Sequence, residues 1–320
     1  MNVLSLFDGI SCGRVALERA GIEINRYYAS EIDKYAIQIT QKNYPDIIQL
    51  GDVNEWRYWN IDWDSIDLLI GGSPCQDLSI AKKDRKGLDG ERSGLFWRYV
   101  EILERAKPKY FLLENVASMP KADKEKITEI LGVEPIMINS ALVSAQQRKR
   151  LYWTNIPNIT QPEDKGIVLR DILLNDDFKN SFKANFYNGT SLKDKAPTLT
   201  QGCNSLSSSG CVALVLPIRL GQIGKGGQGD RIYSVKGKSV SLNANGGGRG
   251  AKTGLYKIDL PDGDYTIRKL YPIECERLQT LPDNYTEGVS NSQRYKAIGN
   301  GWTVDVIAHI LNFIPKEEMK

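Results

Sequence analysis

Apolar and polar positions follow two different periods along the first 155 or so residues. Short apolar runs rich in β-branched and aromatic residues are separated by longer stretches in which apolar positions recur every three or four residues. The short runs predict strands at residues 3–7, 26–29, 67–70, 110–113, 136–139 and 151–153, and the longer stretches predict helices at 13–20, 34–42, 95–105 and 121–131. Strands that alternate with helices predict a doubly wound α/β fold with a mostly parallel sheet, in which sites form at the carboxyl ends of the strands.

The pattern changes at about residue 157, and as far as residue 264 it is replaced by Gly, Ser, Asn and short strand-like runs. Helical periodicity returns at 271–281 and at 303–313. We therefore predict a large α/β domain at 1–156 and a small, irregular, β-rich domain at 157–264. The segment 265–320 is predicted to return to the large domain.

The composition, 41% hydrophobic and 25% charged, is typical of a folded protein. No apolar run approaches the roughly 20 residues that a membrane-spanning helix needs. A strand pattern that begins almost at Met1 leaves no room for a signal peptide, and an odd number of cysteines, five, favours a reducing compartment. We therefore expect a cytoplasmic protein. The single histidine, His309, lies in an apolar helical pattern, which argues against histidine-based zinc sites and Ser-His-Asp catalysis, and we expect no metal.

The net charge of +3 is small, but it is unevenly distributed. Residues 219–256 contain one acid, Asp230, and seven bases: Arg219, Lys225, Arg231, Lys236, Lys238, Arg249 and Lys252. This glycine-rich segment therefore carries +6 (7 − 1), and the rest of the chain −3 (3 − 6). Such a segment fits either a surface that faces a polyanion or a solvated loop.

Polar residues follow the first two predicted strands and a third short apolar run at residues 47–50. Glycines in Phe7-Asp8-Gly9-Ile-Ser-Cys-Gly13 allow a ligand to approach the backbone where the first helix begins. The spacing is not that of a dinucleotide-binding loop, and Asp8 disfavours a pyrophosphate. Glu31 stands where a carboxylate can accept ribose hydroxyls, and Asp52 can accept from an adenine amino group or cap a helix. Together these acids predict a nucleoside site.

Cys75 follows the next strand in the segment Gly71-Gly-Ser-Pro-Cys-Gln76. A cysteine at the edge of the sheet is exposed and can be activated by a cation, so it is a candidate nucleophile, whereas most lone cysteines are small core residues. The polar segment 82–92, with Gly87 and Gly90, is typical of a mobile lid.

Glu114 closes a fourth strand and brings a carboxyl group to the same edge. Arg148 and Arg150 lie two positions apart at the start of another strand, so their side chains share a face. They are either exposed charges or two cations directed at the same site as the cysteine and the glutamate.

Taken in order, these segments resemble the cytosine-5 DNA methyltransferase family. The shared motifs are Phe-x-Gly-x-x-x-Gly, Pro-Cys-Gln, Glu-Asn-Val, Gln-x-Arg-x-Arg and Gly299-Asn300. The likeness covers nearly everything except about 160–264, and it is closest to bacterial and phage enzymes, with some features like the animal de novo branch. Asn300 is followed by Gly301-Trp302, where the family more commonly has a small residue and valine, so the resemblance does not define the rim of the methionine pocket.

The resemblance implies a Rossmann-like, S-adenosylmethionine-dependent enzyme that flips a cytosine out of duplex DNA and methylates carbon 5. Residues 157–264 would be its target-recognition domain. Catalysis would use Cys75, Glu114, Arg148 and Arg150. The cofactor would lie against Phe7, Asp8, Gly9, Gly13, Glu31, Ile32, Asp52, Val53, Pro74, Asn300 and Trp302, and DNA would contact Gln76, Ser79, Arg231 and Arg249. We expect a monomer, with a cognate restriction endonuclease as a possible functional companion.

Three alternatives stay open. An RNA cytosine methyltransferase of the same fold would typically carry Cys-Phe-Thr near its target region, which this sequence lacks. A catalytically idle DNA-binding protein would not need an intact set of cysteine, glutamate and arginine. A nicotinamide-dependent oxidoreductase is disfavoured by the glycine spacing. The other cysteines, Cys12, Cys203, Cys211 and Cys275, are expected to be structural.

Overall fold

A computed structural model of the chain describes residues 1–73, 95–174, 215–223, 227–244, 254–259, 265–315 and 317. Its larger sheet has the strand order β3-β2-β1-β4-β5-β7-β6, and only β7 runs antiparallel to its neighbours. The strands are β1 (Asn2–Leu6), β2 (Arg26–Ser30), β3 (Ile48–Gln49), β4 (Leu68–Gly71), β5 (Tyr110–Val116), β6 (Ile136–Asn139) and β7 (Lys149–Thr154). The predicted doubly wound, mostly parallel sheet is confirmed.

Helices cover both faces of this sheet. On one face α1 (Cys12–Arg19) and α2 (Lys34–Asn43) share a core with the C-terminal helix α7 (Val304–Leu311), and on the other lie α3 (Leu95–Ala106) and α4 (Lys121–Leu131). In β4, Leu68 and Ile70 face the first core and Leu69 faces the second. A strand buried on both faces has to be apolar at every position, which explains the short continuous apolar runs.

The sequence pattern located most elements within one or two residues, and α4 and β6 have the predicted bounds. Strand β5 continues past the predicted residue 113 to Val116 because Glu114 and Asn115, although polar, pair with β7. The pattern did not predict α6 (Asn291–Asn300), whose polar sequence buries only Tyr295, Ile298 and Gly299. The helix α5 (Pro272–Leu278) lies within the predicted 271–281. None of the helices described is long and apolar enough to cross a membrane.

The smaller sheet has the order β11-β10-β9-β8, with a parallel β9–β10 pair. Its strands are β8 (Arg219–Gln222), β9 (Arg231–Ser234), β10 (Leu255–Asp259) and β11 (Tyr265–Arg268). Because β11 pairs with β10, this sheet extends past the predicted boundary at 264. The basic, glycine-rich segment 219–256 contains β8, β9 and the start of β10.

Residues 238–242 attach the smaller sheet to the larger domain. Ser239 forms an isolated parallel bridge with Gln146, and its amide donates to the Ala145 carbonyl at 2.6 Å. Lys238 is completely buried, and its ammonium donates to the carbonyls of Ala141 (2.7 Å), Ser144 (3.0 Å) and Ile167. Burial lowers the pKa of Lys238 below its usual value. Lys238 therefore cannot belong to a basic surface, and that part of the charge interpretation was wrong, because three carbonyls rather than solvent surround the ammonium.

We predict that Lys238→Met destabilises the fold. Each buried acceptor left without a donor costs about 1–3 kcal/mol, so the free energy of unfolding should fall by about 3 kcal/mol or more. Lys236→Met is the matched control because Lys236 is exposed two residues away, and it should change stability by less than about 0.5 kcal/mol. Urea denaturation of the three proteins measures the difference, and equal midpoints for both variants would show that the carbonyl contacts contribute nothing.

Candidate active site

The main cavity lies at the carboxyl edge of the parallel strands. The register pairs Leu6 with Gly71 and Gly71 with Leu113, so the residues that follow, Phe7, Gly72 and Glu114, lie side by side. This is where the strand order reverses, since the chain moves outward from β1 to β2 and β3 before it returns to β4, and open α/β sheets bind ligands at such points. The cavity has a volume of about 940 Å³. Its lining includes the predicted residues Phe7, Asp8, Gly9, Glu31, Ile32, Asp52, Val53, Glu114, Arg148, Arg150, Asn300 and Trp302.

The loop after β1 has a strained backbone. Phe7 (φ 56°) and Ser11 (φ 56°) adopt the left-handed conformation that non-glycine residues rarely take, and Gly9 lies there at φ 60°. Such residues cost on the order of 1–3 kcal/mol each and are typical of ligand-binding loops. Asp8 supports the loop by accepting hydrogen bonds from Ser11 and from the Tyr27 hydroxyl (2.8 Å). Burial raises the pKa of Asp8, and these hydrogen bonds oppose the increase.

Gly13 differs from the other predicted cofactor residues because it is not among those that line the cavity. A Cβ atom at Gly13 would lie 2.4 Å from Ile70 Cδ1 and 3.5 Å from Trp302 Cζ3. The packing of α1 against β4 and Trp302 therefore explains the glycine, and its contact with a cofactor stays a prediction.

The two acids predicted to bind a nucleoside line the cavity and also hold the backbone. Glu31 accepts from the amide of Gly9 through one carboxylate oxygen and from those of Ile32 and Asp33 through the other, all at 2.8 Å. Asp52 caps a 3₁₀ turn by accepting from the Asn54 amide at 2.9 Å. The capping role considered for Asp52 is therefore real, and it does not prevent the carboxylate from facing the cavity.

Glu114 is held by one donor on each oxygen. Arg150 Nε lies 2.8 Å from Oε1 and Trp302 Nε1 lies 3.1 Å from Oε2. Glu114 is only 9% exposed, so this carboxylate is a buried group with a defined orientation. The arrangement presents a carboxyl group and a guanidinium group together to whatever enters the cavity.

Arg148 shares its face with Arg150 as predicted, but its guanidinium supports the cavity wall. It is 5% exposed and donates to the carbonyls of Leu242 (2.9 Å), Gly301 (3.1 Å) and Gly299 (3.3 Å). Gly299 is required there, since a Cβ atom would lie 2.3 Å from the carbonyl carbon of Asn243. The two arginines thus differ in their partners, which strand alternation alone does not reveal.

Two buried glutamines complete this wall, and neither was predicted as a site residue. Gln146 donates to Gln279 Oε1 (3.2 Å) and accepts from the Leu242 amide (2.7 Å). Gln279 donates to the carbonyls of Ile298 (2.9 Å) and Gly301 (3.0 Å). The only available signal was the first position of Gln-x-Arg-x-Arg for Gln146, whereas Gln279 lies in an ordinary helical pattern.

Several predicted residues lie outside the described part of the chain: Pro74, Cys75, Gln76, Ser79, Arg249, Cys203, Cys211 and the segment 82–92. Arg231 begins β9 and is half-buried, and its Nε is a buried donor without a hydrogen-bond partner among the described residues. Within the described ranges, no cluster of histidine, cysteine and acidic residues is arranged to hold a metal ion.

Two cysteines are described and both are buried. Cys12 lines the cavity, and burial raises its pKa to about 12. Burial also raises the pKa of Cys275 above its usual value. At neutral pH both are therefore protonated thiols, which are poor nucleophiles.

Comparison with known proteins identifies similar chains. A family model described as C-5 cytosine-specific DNA methylase matches residues 1–316. The type II methyltransferase M.HhaI of Haemophilus parahaemolyticus is 31% identical over 98% of this chain and 96% of its own length, and M.HpaII of Haemophilus parainfluenzae is 29% identical over 95% and 86%.

Solved structures share the fold. The Entamoeba histolytica methyltransferase EhMeth has a TM-score of 0.67 and 17% identity over 98% of this chain and 97% of that one. The Dnmt2 methyltransferase of S. pombe has a TM-score of 0.62 and 17% identity over 97% of each chain.

We predict that Glu31→Ala lowers the stability of the fold, because three backbone amides lose their charged acceptor. Hydrogen bonds to charged groups contribute about 1.5–3 kcal/mol, and part of this is recovered from water, so the expected loss is about 2 kcal/mol. Glu55→Ala removes an exposed carboxylate from the neighbouring 3₁₀ turn and should change stability by less than about 0.5 kcal/mol. Chemical denaturation in the absence of ligand tests this, and an unchanged midpoint for Glu31→Ala would mean that the three amides are satisfied without it.

Proposed function

This chain belongs to the C-5 cytosine-specific DNA methylase family and is a DNA cytosine-5 methyltransferase, and from this premise we propose how its residues carry out the reaction. The substrate is a cytosine within a specific sequence of duplex DNA, and the methyl donor is S-adenosylmethionine. The observation that carries the proposal is the convergence of Glu114 and Arg150 with the carboxylates Glu31 and Asp52 on one cavity.

The cavity fits the proposed donor. Ile32 lines it with a side chain that is 73% exposed, which suits an apolar contact with an adenine ring. Glu31 and Asp52 supply acceptors for ribose hydroxyls and for an adenine amino group. A Cβ atom added at Gly9 would meet no described atom within 4 Å, so the backbone of the strained loop is open to close approach by a ligand. When bound, S-adenosylmethionine supplies an electrophilic methyl group on a positively charged sulfur, and the surrounding carboxylates favour that charge.

Carbon 5 of cytosine is too weak a nucleophile to take the methyl group directly. In our proposal the Cys75 thiolate adds to carbon 6, and the electrons of the C5–C6 double bond move toward N3, which Glu114 protonates or hydrogen-bonds. Carbon 5 of the resulting enamine is then nucleophilic enough to take the methyl group, and S-adenosylhomocysteine is the leaving group. Loss of the carbon 5 proton to a base restores the C5–C6 double bond and expels the Cys75 thiolate, and any proton that N3 received returns to Glu114.

Arg150 is proposed to bind O2 of the cytosine and to stabilise the charge that develops on the ring. Arg148 was expected to share this task, but its guanidinium already donates to three carbonyls of the cavity wall. We therefore propose that Arg148 acts by positioning the wall and that Arg150 is the arginine that contacts the base.

A cytosine stacked in a duplex cannot reach a cavity at the edge of a sheet, so the base is proposed to flip out of the helix. Residues 77–92 are the proposed lid, with Gln76 and Ser79 contacting DNA. The small domain is proposed to read the sequence, and Arg231 is favoured because it lies half-buried at the start of β9, within the basic segment 219–256. We also propose a monomer, because methylating one cytosine needs no two-fold symmetry. A cytoplasmic location is proposed because an odd number of cysteines favours a reducing compartment.

We predict that the enzyme is trapped covalently by duplex DNA that carries 5-fluorocytosine at its target, in the presence of S-adenosylmethionine, because fluorine cannot leave as the proton does. Cys75→Ala should form no adduct, whereas Cys12→Ala should form it as wild type does, since the Cys12 thiol is buried and protonated. Denaturing electrophoresis detects the adduct. An adduct that persists in Cys75→Ala would overturn the assignment of the nucleophile, and transfer of methyl groups to a tRNA transcript rather than to duplex DNA would favour the RNA alternative.

We predict that Arg231→Ala changes the set of methylated sequences, since a base-reading arginine contributes about 1–3 kcal/mol of discrimination at one position. Arg249→Ala is expected to behave in the same way. Lys225→Ala is the contrasting variant, because a phosphate contact should weaken binding to all sequences alike and reduce its salt dependence. Bisulfite sequencing of DNA methylated by each variant measures the preference. Profiles identical to wild type for both arginine variants would place recognition elsewhere in the small domain.

A further inference from the structure

Trp302 contacts the Glu114 carboxylate and lies against the backbone of Gly72, and all three residues line the cavity. Its indole Nε1 donates to Glu114 Oε2 at 3.1 Å. A Cβ atom at Gly72 would lie 2.8 Å from that nitrogen and 3.0 Å from Glu114 Oε2. The indole and the carboxylate therefore meet over the bare backbone of Gly72, where no larger residue fits without moving one of them.

The turn that carries Trp302 is held on both sides. The Gly301 carbonyl accepts from Gln279 Nε2 (3.0 Å) and from Arg148 Nη2 (3.1 Å). The Thr303 hydroxyl donates to Gln279 Oε1 at 2.8 Å and accepts from the Ser140 hydroxyl at 2.9 Å. Because both neighbours of Trp302 are fixed in this way, the indole is directed at Glu114 before any ligand binds.

A carboxylate that is held by Arg150 alone can still turn about its terminal torsion, which has no strong rotameric preference. The Trp302 donor on the second oxygen fixes the plane of the carboxylate. Among the described residues each oxygen meets one donor, which leaves one acceptor position on each oxygen for the substrate. An acid that must meet both N3 and the exocyclic amine of cytosine needs this fixed plane, since small misplacements of catalytic groups reduce rates strongly.

We propose that Trp302 is a positioning residue for Glu114, in addition to lining the cofactor cavity. This inference rests on the proposed role of Glu114 in methylation. It assigns a task to the indole N–H that the ring alone cannot perform, and it gives a reason for tryptophan at a position where the family more commonly has valine.

Trp302→Phe tests the proposal because it keeps an aromatic ring and removes the donor. In steady-state methylation of duplex DNA, kcat should fall about tenfold, the lower end of the range for a hydrogen bond to a charged group. KM for DNA and the affinity for S-adenosylmethionine should stay within about threefold of wild type. Trp153→Phe is the matched control, since Trp153 also loses an indole hydrogen bond, to Thr128 Oγ1 at 3.0 Å, but lies in the core beneath α4. It should lower stability and leave kcat unchanged.

A second measurement does not depend on activity. The chain has six tryptophans, so its ¹⁵N-labelled indole groups give six resonances, and the one missing from Trp302→Phe belongs to Trp302. In Glu114→Ala this resonance should shift upfield as its acceptor is lost, whereas the Trp153 resonance should stay in place.

The outcomes separate the two proposals. If wild type methylates no DNA, the proposed mechanism fails, although the resonance still reports the hydrogen bond. Wild-type kcat in Trp302→Phe, a Trp302 resonance that does not move in Glu114→Ala, or an equal loss of kcat in Trp153→Phe would overturn the positioning role alone.

Discussion

The cavity depends on a buried polar network built on Gln146, Arg148 and Gln279, whose side chains are 0%, 5% and 0% exposed. A guanidinium group in such a place is tolerated only if its donors find acceptors, and Arg148 finds them on the carbonyls of Leu242, Gly299 and Gly301. These carbonyls belong to segments far apart in the chain. Satisfying one buried charge therefore brings together the start of β7, the edge of the small domain and the turn before α7.

This network lies where the smaller sheet is attached to the larger domain. Residues 238–242 bond to residues 141–148 through Lys238, Ser239 and Leu242, whose partners are backbone groups or Gln146. Contacts to backbone groups are compatible with many side chains, so they restrict little which residues occupy the rest of the smaller sheet. Residues elsewhere in the smaller sheet can therefore differ without disturbing this wall of the cavity.

The carboxylates that line the cavity have different partners at different strand ends. The carboxylate of Glu31, after β2, holds the strained loop, and that of Asp52, after β3, caps a 3₁₀ turn, and both line the cavity. At the end of β5 the Glu114 carboxylate is paired with an arginine and an indole. In both arrangements the carboxylates already accept hydrogen bonds from the protein's own backbone or side chains. Binding residues that are held by such contacts need little reorganisation when a ligand arrives.

Local sequence determined the larger sheet and most of its helices, because strands buried on two faces and helices with one apolar face leave periodic patterns that neighbouring residues alone produce. It also placed Glu31, Asp52, Glu114, Arg148 and Arg150 at one edge, since strand ends in a parallel sheet meet there. Only the tertiary structure showed that Arg148 and Arg150 have different partners and that Lys238 is buried. It alone brought Gln279 to the cavity wall, paired the Trp302 indole with Glu114 and set Gly13 outside the lining. Those outcomes depend on which donors and acceptors come within hydrogen-bond distance after separate segments of the chain have packed together, and no local pattern records such distances.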